Sequence, residues 1–258
     1  ATDNPMTVRQ VYYQLVSRQV IKNNRSQYQA VSKALVAARR EGLIPWGWLE
    51  DRLRRPRSVS MWADVATFGA AVVNAYRRDV WTSQTVYLEA WLEKDALSGI
   101  FEDVLEPYGV TLNVGRGYDG WDSIYNASQR MGDGAGVTIL YFGDLDPSGE
   151  DMVRSLAERL ASLGCHPELV KCALTADDIA RYNLPPDFAK RTDTRTAAFI
   201  AEHGDISVEL DALPANALRA KLREEIETRL DLAALERVRQ RESHERQKLE
   251  RAIVGLDA

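Results

Sequence analysis

VTILYFGDLDPSGEDM, residues 137–152, predicts a buried strand, an acidic turn and the start of a helix. Residues 137–142 are an apolar run rich in β-forming residues, which is typical of a strand covered on both faces. Asp144 and Asp146 follow with one residue between them, so in an extended chain both side chains lie on the same side. A proline and a glycine then turn the chain, and apolar residues at helical spacing follow over residues 152–163.

This spacing alone leaves two interpretations of Asp144 and Asp146 open. Open α/β sheets bind ligands at the carboxyl ends of their strands, and a hard cation such as Mg²⁺ neutralises two carboxylates that lie close together. Alternatively, one aspartate caps the helix and the other is a solvated loop acid. A third carboxylate favours the metal site, because Glu93 directly follows another predicted buried strand, VYLEAWL at residues 86–92.

Strands and helices alternate through the middle of the chain, which predicts an α/β protein with a mainly parallel sheet. Two further strands are predicted at residues 110–114 and 167–174, and a helix at Trp121 to Met131. The carboxyl ends of neighbouring parallel strands meet at one edge of a sheet. Glu93, Asp144 and Asp146 are therefore expected to converge on one metal ion. Arg116, in the loop after residues 110–114, is expected to face the same edge.

Positive charge is concentrated at the N-terminus, although the net charge of the chain is −5. Residues 1–60 contain 11 Lys and Arg against 4 Asp and Glu, whereas the rest of the chain contains 22 against 34. A basic module on an acidic body indicates binding to a polyanion, and nucleic acid is favoured over a merely solvated basic face.

The first predicted helix carries two adjacent tyrosines with different roles. Thr7 and Gln10 form the pattern of a capping box that opens this helix. Its apolar positions place Tyr12 in the core and Tyr13 off the core, one turn after Arg9 and on the same side. An arginine and a tyrosine in this relation suit attack on a phosphate, but helix geometry alone favours an ordinary exposed tyrosine.

The following residues predict a helix-turn-helix that presents basic side chains to DNA. Ser26 is expected to cap its second helix and Gly42 to end it. The polar face of this helix leaves three basic residues for solvent or DNA: Lys33, Arg39 and Arg40. Four arginines suited to phosphate contacts follow in a predicted wing or loop: Arg52, Arg54, Arg55 and Arg57.

LEKDAL at residues 92–97 and FGDLDPSG at residues 142–149 together resemble the Toprim domain of topoisomerases, primases and several nucleases. With GRGYDG at residues 115–120, the chain more particularly resembles the A subunit of topoisomerase VI and the meiotic double-strand-break transesterases, as a small stand-alone member. That family joins Toprim to an N-terminal winged helix with a tyrosine nucleophile. TVRQVYYQLV at residues 7–16 resembles its nucleophile motif, which implies Tyr13 as nucleophile and Arg9 as its support.

The resemblance implies cleavage of double-stranded DNA by transesterification, with a 5′-phosphotyrosyl product. It assigns Mg²⁺, replaceable by Mn²⁺, to Glu93, Asp144 and Asp146, and phosphate contacts to Lys94 and Arg116. In the family, the tyrosine and the metal site of one catalytic centre come from different subunits, so a homodimer is expected. The chain carries no ATPase motif, so an ATPase or other partner would be a separate subunit.

Two other functions stay open. The first is a hydrolytic Toprim nuclease, similar to the subunit that cuts DNA in bacterial plasmid-defence condensin systems, with Tyr13 as a bystander. The second is a DNA-binding module that keeps the fold without catalysis. The three carboxylates argue against the second function, whereas only the pair of Arg9 and Tyr13 argues against the first.

The predicted fold class is α/β, with four segments along the chain. A winged-helix domain occupies residues 1–60, a helical connector 61–84, the Toprim domain 85–180 and a mostly helical extension 181–258. A helix is expected from Ser60 to Arg77, bridging the two modules, and a short strand over residues 206–210 within the extension. The last helix of the extension is expected to pack on the body or on a second copy.

Nothing in the sequence indicates a membrane or a secreted protein, because no apolar run reaches membrane length and no signal-peptide pattern opens the chain. The two cysteines, Cys165 and Cys172, fit no zinc spacing and are interpreted as packing residues. We expect a cytoplasmic, nucleoid-associated protein.

Overall fold

A four-stranded, all-parallel sheet forms the centre of the protein, as expected for an α/β chain. The structure is a computed structural model that describes residues 5–49, 59–115, 120–185 and 195–254. The strands are β1 (Tyr87–Leu92), β2 (Thr111–Val114), β3 (Val137–Phe142) and β4 (Glu168–Ala173), in the order β2-β1-β3-β4. Each lies where the sequence predicted a strand, within one residue at either end.

Successive side chains of a strand point to opposite faces of the sheet, so the central strands contribute to two separate apolar layers. Every residue of β3 is buried, and β1 is buried from its second residue onward. Leu140 and Phe142 face one layer, whereas Ile139 and Tyr141 face the other. β1 and β3 pair directly, and the register sets Leu92 opposite Phe142, so the residues that follow these two strands emerge side by side.

Helices lie before, between and after the strands along the chain. They are α1 (Val8–Ser17), α2 (Arg25–Arg40), α3 (Val65–Ala75), α4 (Ser98–Leu105), α5 (Trp121–Met131), α6 (Pro147–Ser162), α7 (Ala176–Tyr182), α8 (Thr196–His203), α9 (Ala215–Glu227) and α10 (Leu232–Val254). None of the described helices is both long and apolar enough to cross a membrane.

The N-terminal helices confirm one predicted cap and correct another. Thr7 and Gln10 form the predicted capping box at the start of α1. The cap of α2 is Asn24 rather than Ser26, because the Asn24 side chain accepts a hydrogen bond from the Gln27 N–H at 2.9 Å. α1 and α2 pack around a small apolar cluster, and a 3₁₀ turn at Trp46–Trp48 follows. The predicted wing lies mostly on residues 50–58, outside the described residues.

The connector and the last helix pack against each other within one chain. α3 begins after its cap at Asp64, so it is shorter than the helix predicted from Ser60 to Arg77. Glu245 on α10 accepts hydrogen bonds from the Tyr76 hydroxyl and the Arg78 guanidinium, both at 2.6 Å. The last helix was expected to pack either on the body or on a second copy, and in the structure it packs on its own chain.

The segment predicted as a strand over residues 206–210 is not one. Within it, Val208 makes an isolated antiparallel bridge to Leu145, and a 3₁₀ turn at Leu210–Ala212 follows. The segment crosses the end of β3 instead of joining the edge of the sheet. It therefore delivers its polar side chains to the carboxyl edge of the strands.

Candidate functional site

Glu93 and Asp144 meet at the carboxyl edge of the sheet because they follow the adjacent strands β1 and β3. The Asp144 backbone N–H donates a hydrogen bond to Glu93 Oε2 at 2.9 Å. Gly143 allows this approach, since a Cβ atom at that position would lie 2.6 Å from the same oxygen. The parallel sheet thus brings these two predicted site residues together.

Asp146 has the capping role that the sequence left open for one of the two aspartates. Its Oδ1 accepts a hydrogen bond from the Gly149 N–H at 2.7 Å, and α6 begins at the next residue, Pro147. Its charge also acts on Glu93. Burial, and then the charges of Asp144 and Asp146, raise the pKa of Glu93 to about 7.

Lys94 is the cation that joins the carboxylates of this edge. Its Nζ lies 2.9 Å from Asp144 Oδ1, 3.0 Å from Glu209 Oε2 and 3.0 Å from Asp211 Oδ2. Burial acts to lower the pKa of Lys94, but the charges of Asp211, Asp144 and Glu209 outweigh it and raise that pKa above its usual range. Lys94 was predicted to contact phosphate, and its observed partners are carboxylates.

Glu209 and Asp211 are site residues that sequence reasoning missed. They belong to VELDAL, residues 208–213, which crosses the end of β3. The Leu210 N–H donates to Asp144 Oδ1 at 2.7 Å, and Asp211 is almost completely buried. The available signal was a second pair of carboxylates separated by one residue, but nothing local indicated which part of the sheet they would reach.

Tyr13 lies in the same cluster of charged side chains, and the prediction that it lies off the core of its helix is wrong. Its side chain is buried in the small apolar cluster of α1 and α2 with Tyr12, Val16 and Val31, and its ring lies edge-on to that of Tyr12. The Tyr13 hydroxyl donates a hydrogen bond to Glu209 Oε2. Arg9 approaches from the same side, as predicted: its Nη2 donates to that oxygen at 2.9 Å, and its Nε lies 2.9 Å from Asp211 Oδ2.

The electrostatics of this contact keep the proton on Tyr13. Burial, and then the hydrogen bond to Glu209 and its charge, raise the pKa of Tyr13 above its usual range. Burial acts to raise the pKa of Glu209, but the charge of Lys94 and hydrogen bonds from Tyr13, Lys94 and Arg9 lower it to about 2. A carboxylate with so low a pKa is a poor general base for a phenol.

A cleft of about 330 Å³ opens beside Tyr13 on the side of α2. Arg9 and Arg25 contribute positive charge to its lining, and Tyr12, Tyr13 and Tyr28 contribute aromatic rings. Arg25 was not predicted as a site residue, and the sequence placed the cap of α2 at Ser26, two residues after the observed cap at Asn24. The combination of arginines and aromatic rings suits a nucleic-acid strand.

Apart from Lys94, described above, the basic residues predicted to bind DNA fall into three groups. Lys33 and Arg40 are exposed on α2. Arg39 is engaged within the protein: it donates to the backbone oxygens of Trp46 at 2.6 Å and Leu49 at 3.2 Å. The others lie outside the described residues: Arg52, Arg54, Arg55, Arg57 and Arg116.

The carboxylates have the chemistry of a magnesium site, but their side chains do not form one as placed. Among the described residues, no group of three His, Cys, Asp or Glu is arranged to hold a metal ion. Asp144 is engaged by Lys94 and the Leu210 N–H, and Asp146 caps α6. The donor set nonetheless suits a hard cation. Burial, and then the charges of Asp144 and Asp146, raise the pKa of Glu93, and such an ion would offset those charges.

Comparison with known proteins gives no family for this chain. No protein-family model matches it, and no curated protein matches it significantly.

Proposed function

We propose that this protein cleaves double-stranded DNA by tyrosine transesterification, as a Toprim enzyme similar to the A subunit of topoisomerase VI. The observation that carries the proposal is one cluster in which Tyr13 and Arg9 contact Glu209, while Lys94 bridges Glu209 to Asp144. A tyrosine, two cations and the acidic edge of a parallel sheet thus share one site. Transfer of a phosphodiester to a tyrosine uses these parts together.

In the proposed reaction, the Tyr13 oxygen attacks the phosphorus of the scissile phosphodiester. A bond forms between phosphorus and the tyrosine oxygen, and the bond to the 3′ oxygen breaks. The phenol loses its proton, the 3′ oxygen leaves as a hydroxyl, and the DNA 5′ end stays linked to Tyr13. Arg9 and Lys94 stabilise negative charge on the phosphate oxygens.

Glu93, Asp144 and Asp146 would hold a Mg²⁺ or Mn²⁺ ion, which when bound supplies positive charge near the phosphate and the leaving oxygen. Their place at adjacent strand ends supports this assignment. Lys94 fixes the Asp144 carboxylate in position, and its charge opposes the burial that raises the pKa of Asp144. Asp146 contributes one oxygen to the cap of α6, which orients its carboxylate relative to the strand end.

DNA would approach from the N-terminal side in this proposal. Lys33 and Arg40 on α2 are exposed, and the cleft with Arg25 leads from α2 to Tyr13. A winged-helix arrangement of residues 1–60 fits this approach, with the arginines of residues 52–57 on phosphates. The protein would act in the cytoplasm on the nucleoid as a homodimer, and an ATPase or other partner would be a separate subunit.

The decisive experiment looks for protein linked to DNA 5′ ends. Supercoiled DNA is incubated with the protein and Mg²⁺, the reaction is stopped with denaturant, and the DNA that precipitates with the protein is measured with and without protease treatment, which should release it. Tyr13→Phe should reduce adduct and cleavage to background while DNA binding survives. Tyr12→Phe is the matched control. Among the contacts described, the Tyr12 hydroxyl bonds only to Asn23 and to the Asn24 backbone. Losing these bonds should lower the free energy of unfolding by about 1 kcal/mol and leave cleavage intact.

Hydrolysis is the second candidate, and the hydrogen bond from Tyr13 to Glu209 favours it. A tyrosine that donates to a buried carboxylate can be structural, with a water molecule attacking the phosphate instead. In that case Tyr13→Phe and Tyr12→Phe would both cut DNA nearly as well as the parent, and no 5′ adduct would form.

A further inference from the structure

One oxygen of Glu209 collects three donors from three parts of the chain. The Tyr13 hydroxyl, Arg9 Nη2 at 2.9 Å and Lys94 Nζ at 3.0 Å all donate to Oε2. These are the hydroxyl and the two cations that the proposed function assigns to the phosphate. Glu209 therefore occupies the centre of a site built for an anion.

A phosphate cannot enter this site while Glu209 remains. A nucleophilic oxygen must approach its target to about 3–3.5 Å, and the cations must bond to the phosphate oxygens. The same donors are engaged by the carboxylate, and a carboxylate next to a phosphodiester adds repulsion between like charges. The carboxylate of Glu209 and the phosphate of DNA are thus competitors for one position.

The surroundings allow the Glu209 side chain to leave without disturbing the cations. Its side chain is 42% exposed, whereas that of Asp211 is completely buried. Hydrogen bonds between Val208 and Leu145, and from Leu210 to Asp144, fix the backbone on either side. Asp211 contacts both Arg9 and Lys94, so both cations keep a partner when Glu209 rotates away.

We propose that Glu209 is a positioning residue that holds Tyr13 unreactive until the phosphate of a DNA strand displaces its carboxylate. This inference rests on the proposed function, because it takes the phosphodiester as the anion. With Glu209 in place, a phenolate would face a carboxylate. After displacement, the phenolate faces Arg9 and Lys94, and Tyr13 can lose its proton. The same release is required whether Tyr13 then attacks DNA bound to its own chain or to a partner subunit.

The test compares the variants Glu209→Gln and Glu209→Ala with the parent protein. Glu202→Gln is the matched control, because the Glu202 side chain on α8 is 77% exposed. Titration of the phenol is followed by NMR of protein with ¹³Cζ-labelled tyrosine, and Tyr13→Phe assigns the signal. Binding of inorganic phosphate is measured on the same samples, and 5′ adduct formation is measured with DNA. Circular dichroism verifies that each variant is folded.

We expect both Glu209 variants to lower the pKa of Tyr13 by roughly 1 or more, which is about a tenfold change in the ionisation equilibrium. Phosphate should bind more tightly and adduct should form faster, while Glu202→Gln behaves as the parent. An unchanged Tyr13 titration would overturn the proposal, as would folded Glu209 variants that lose adduct formation as Tyr13→Phe does. If the Tyr13 titration and phosphate binding change as expected but neither the parent nor any variant forms an adduct, the role of Glu209 in the anion site is supported. The proposed transesterification is then the claim that is wrong.

Discussion

Lys94 and Asp144 form an ion pair of 2.9 Å between side chains that are only 10% and 11% exposed. Glu93, the neighbour of Lys94, accepts a hydrogen bond from the Asp144 backbone, so the ends of β1 and β3 are joined twice. The Asp144 carboxylate pairs with the charged Lys94 side chain, whereas the Asp144 backbone N–H donates to Glu93. The stability of this edge and its proposed chemistry both depend on Lys94.

Replacing Lys94 with Met should lower the free energy of unfolding by about 3–5 kcal/mol at neutral pH, because the buried carboxylates lose their shared cation. The loss should shrink at acid pH, because carboxylates that have lost their cation take up protons more readily. Urea denaturation at both pH values measures the two effects. Lys33→Met, on the exposed face of α2, is the control and should stay within about 0.5 kcal/mol of the parent. A Lys94 variant as stable as this control would show that the ion pairs do not stabilise the fold.

Loss of the proton from Glu93 should lower the free energy of unfolding as the pH rises. Its pKa is about 7 in the folded protein against an ordinary value of 4.5, so the folded state holds the proton more tightly. The stability linked to this proton is complete below about pH 4.5 and is lost as the pH rises to about 7. Glu93→Gln should remove that decline, which is on the order of 1–3 kcal/mol.

The control for this measurement is Glu202→Gln, which should keep the pH dependence of the parent. Denaturation curves from pH 4 to pH 8 without divalent ions give the comparison. A parent whose stability does not change across this range would contradict the assignment to Glu93.

Asp146→Asn separates the two roles of Asp146. Asparagine is as good a helix cap as aspartate, so α6 and the folded state should be preserved. The proposed metal site loses one anionic ligand, and cleavage should fall to background. Asp146→Ala should lose cleavage and also about 1 kcal/mol of stability, because the cap to Gly149 is gone. DNA cleavage by the parent in excess EDTA, or undiminished cleavage by Asp146→Asn, would remove the metal from the proposal.

Mixing Tyr13→Phe with Asp146→Asn protein should restore part of the cleavage that each variant lacks. The reason is the shared site implied by the family resemblance, since a mixed dimer would contain one complete centre. Cleavage is measured before and after the mixed protein has exchanged subunits. If mixed dimers form but remain inactive, Tyr13 acts with the carboxylates of its own chain, to which Glu209 and Lys94 already connect it.

The sheet and its acidic edge could be predicted because their signals are local. Each strand is a short run of apolar β-forming residues, and a parallel order brings the ends of β1 and β3 together. Glu93 and Asp144 therefore meet as expected. The start of α2 was misplaced because Asn24 and Ser26 both suit a cap, and only the observed hydrogen bonds distinguish them.

The environment of Tyr13 could not be predicted in this way. A helical wheel places residues relative to one helix, so it correctly set Tyr13 beside Arg9, but it wrongly set Tyr13 away from the apolar cluster of α1 and α2. The segment that covers Tyr13 comes from 196 residues further along the chain. Nothing in the spacing of VELDAL indicates that contact, because it depends on where the chain crosses the end of β3.

The packing of α10 on α3 has a consequence for the order in which the chain acquires its structure. The four strands lie within residues 87–173, so the sheet can assemble while later residues are still being synthesised. α3 precedes the sheet, yet Gly69 is in contact with Ile253, where an added Cβ would lie 2.2 Å from its side chain. A nascent chain must therefore carry α3 without its cover until α10 has left the ribosome, so the apolar side of this early helix is exposed to aggregation during translation.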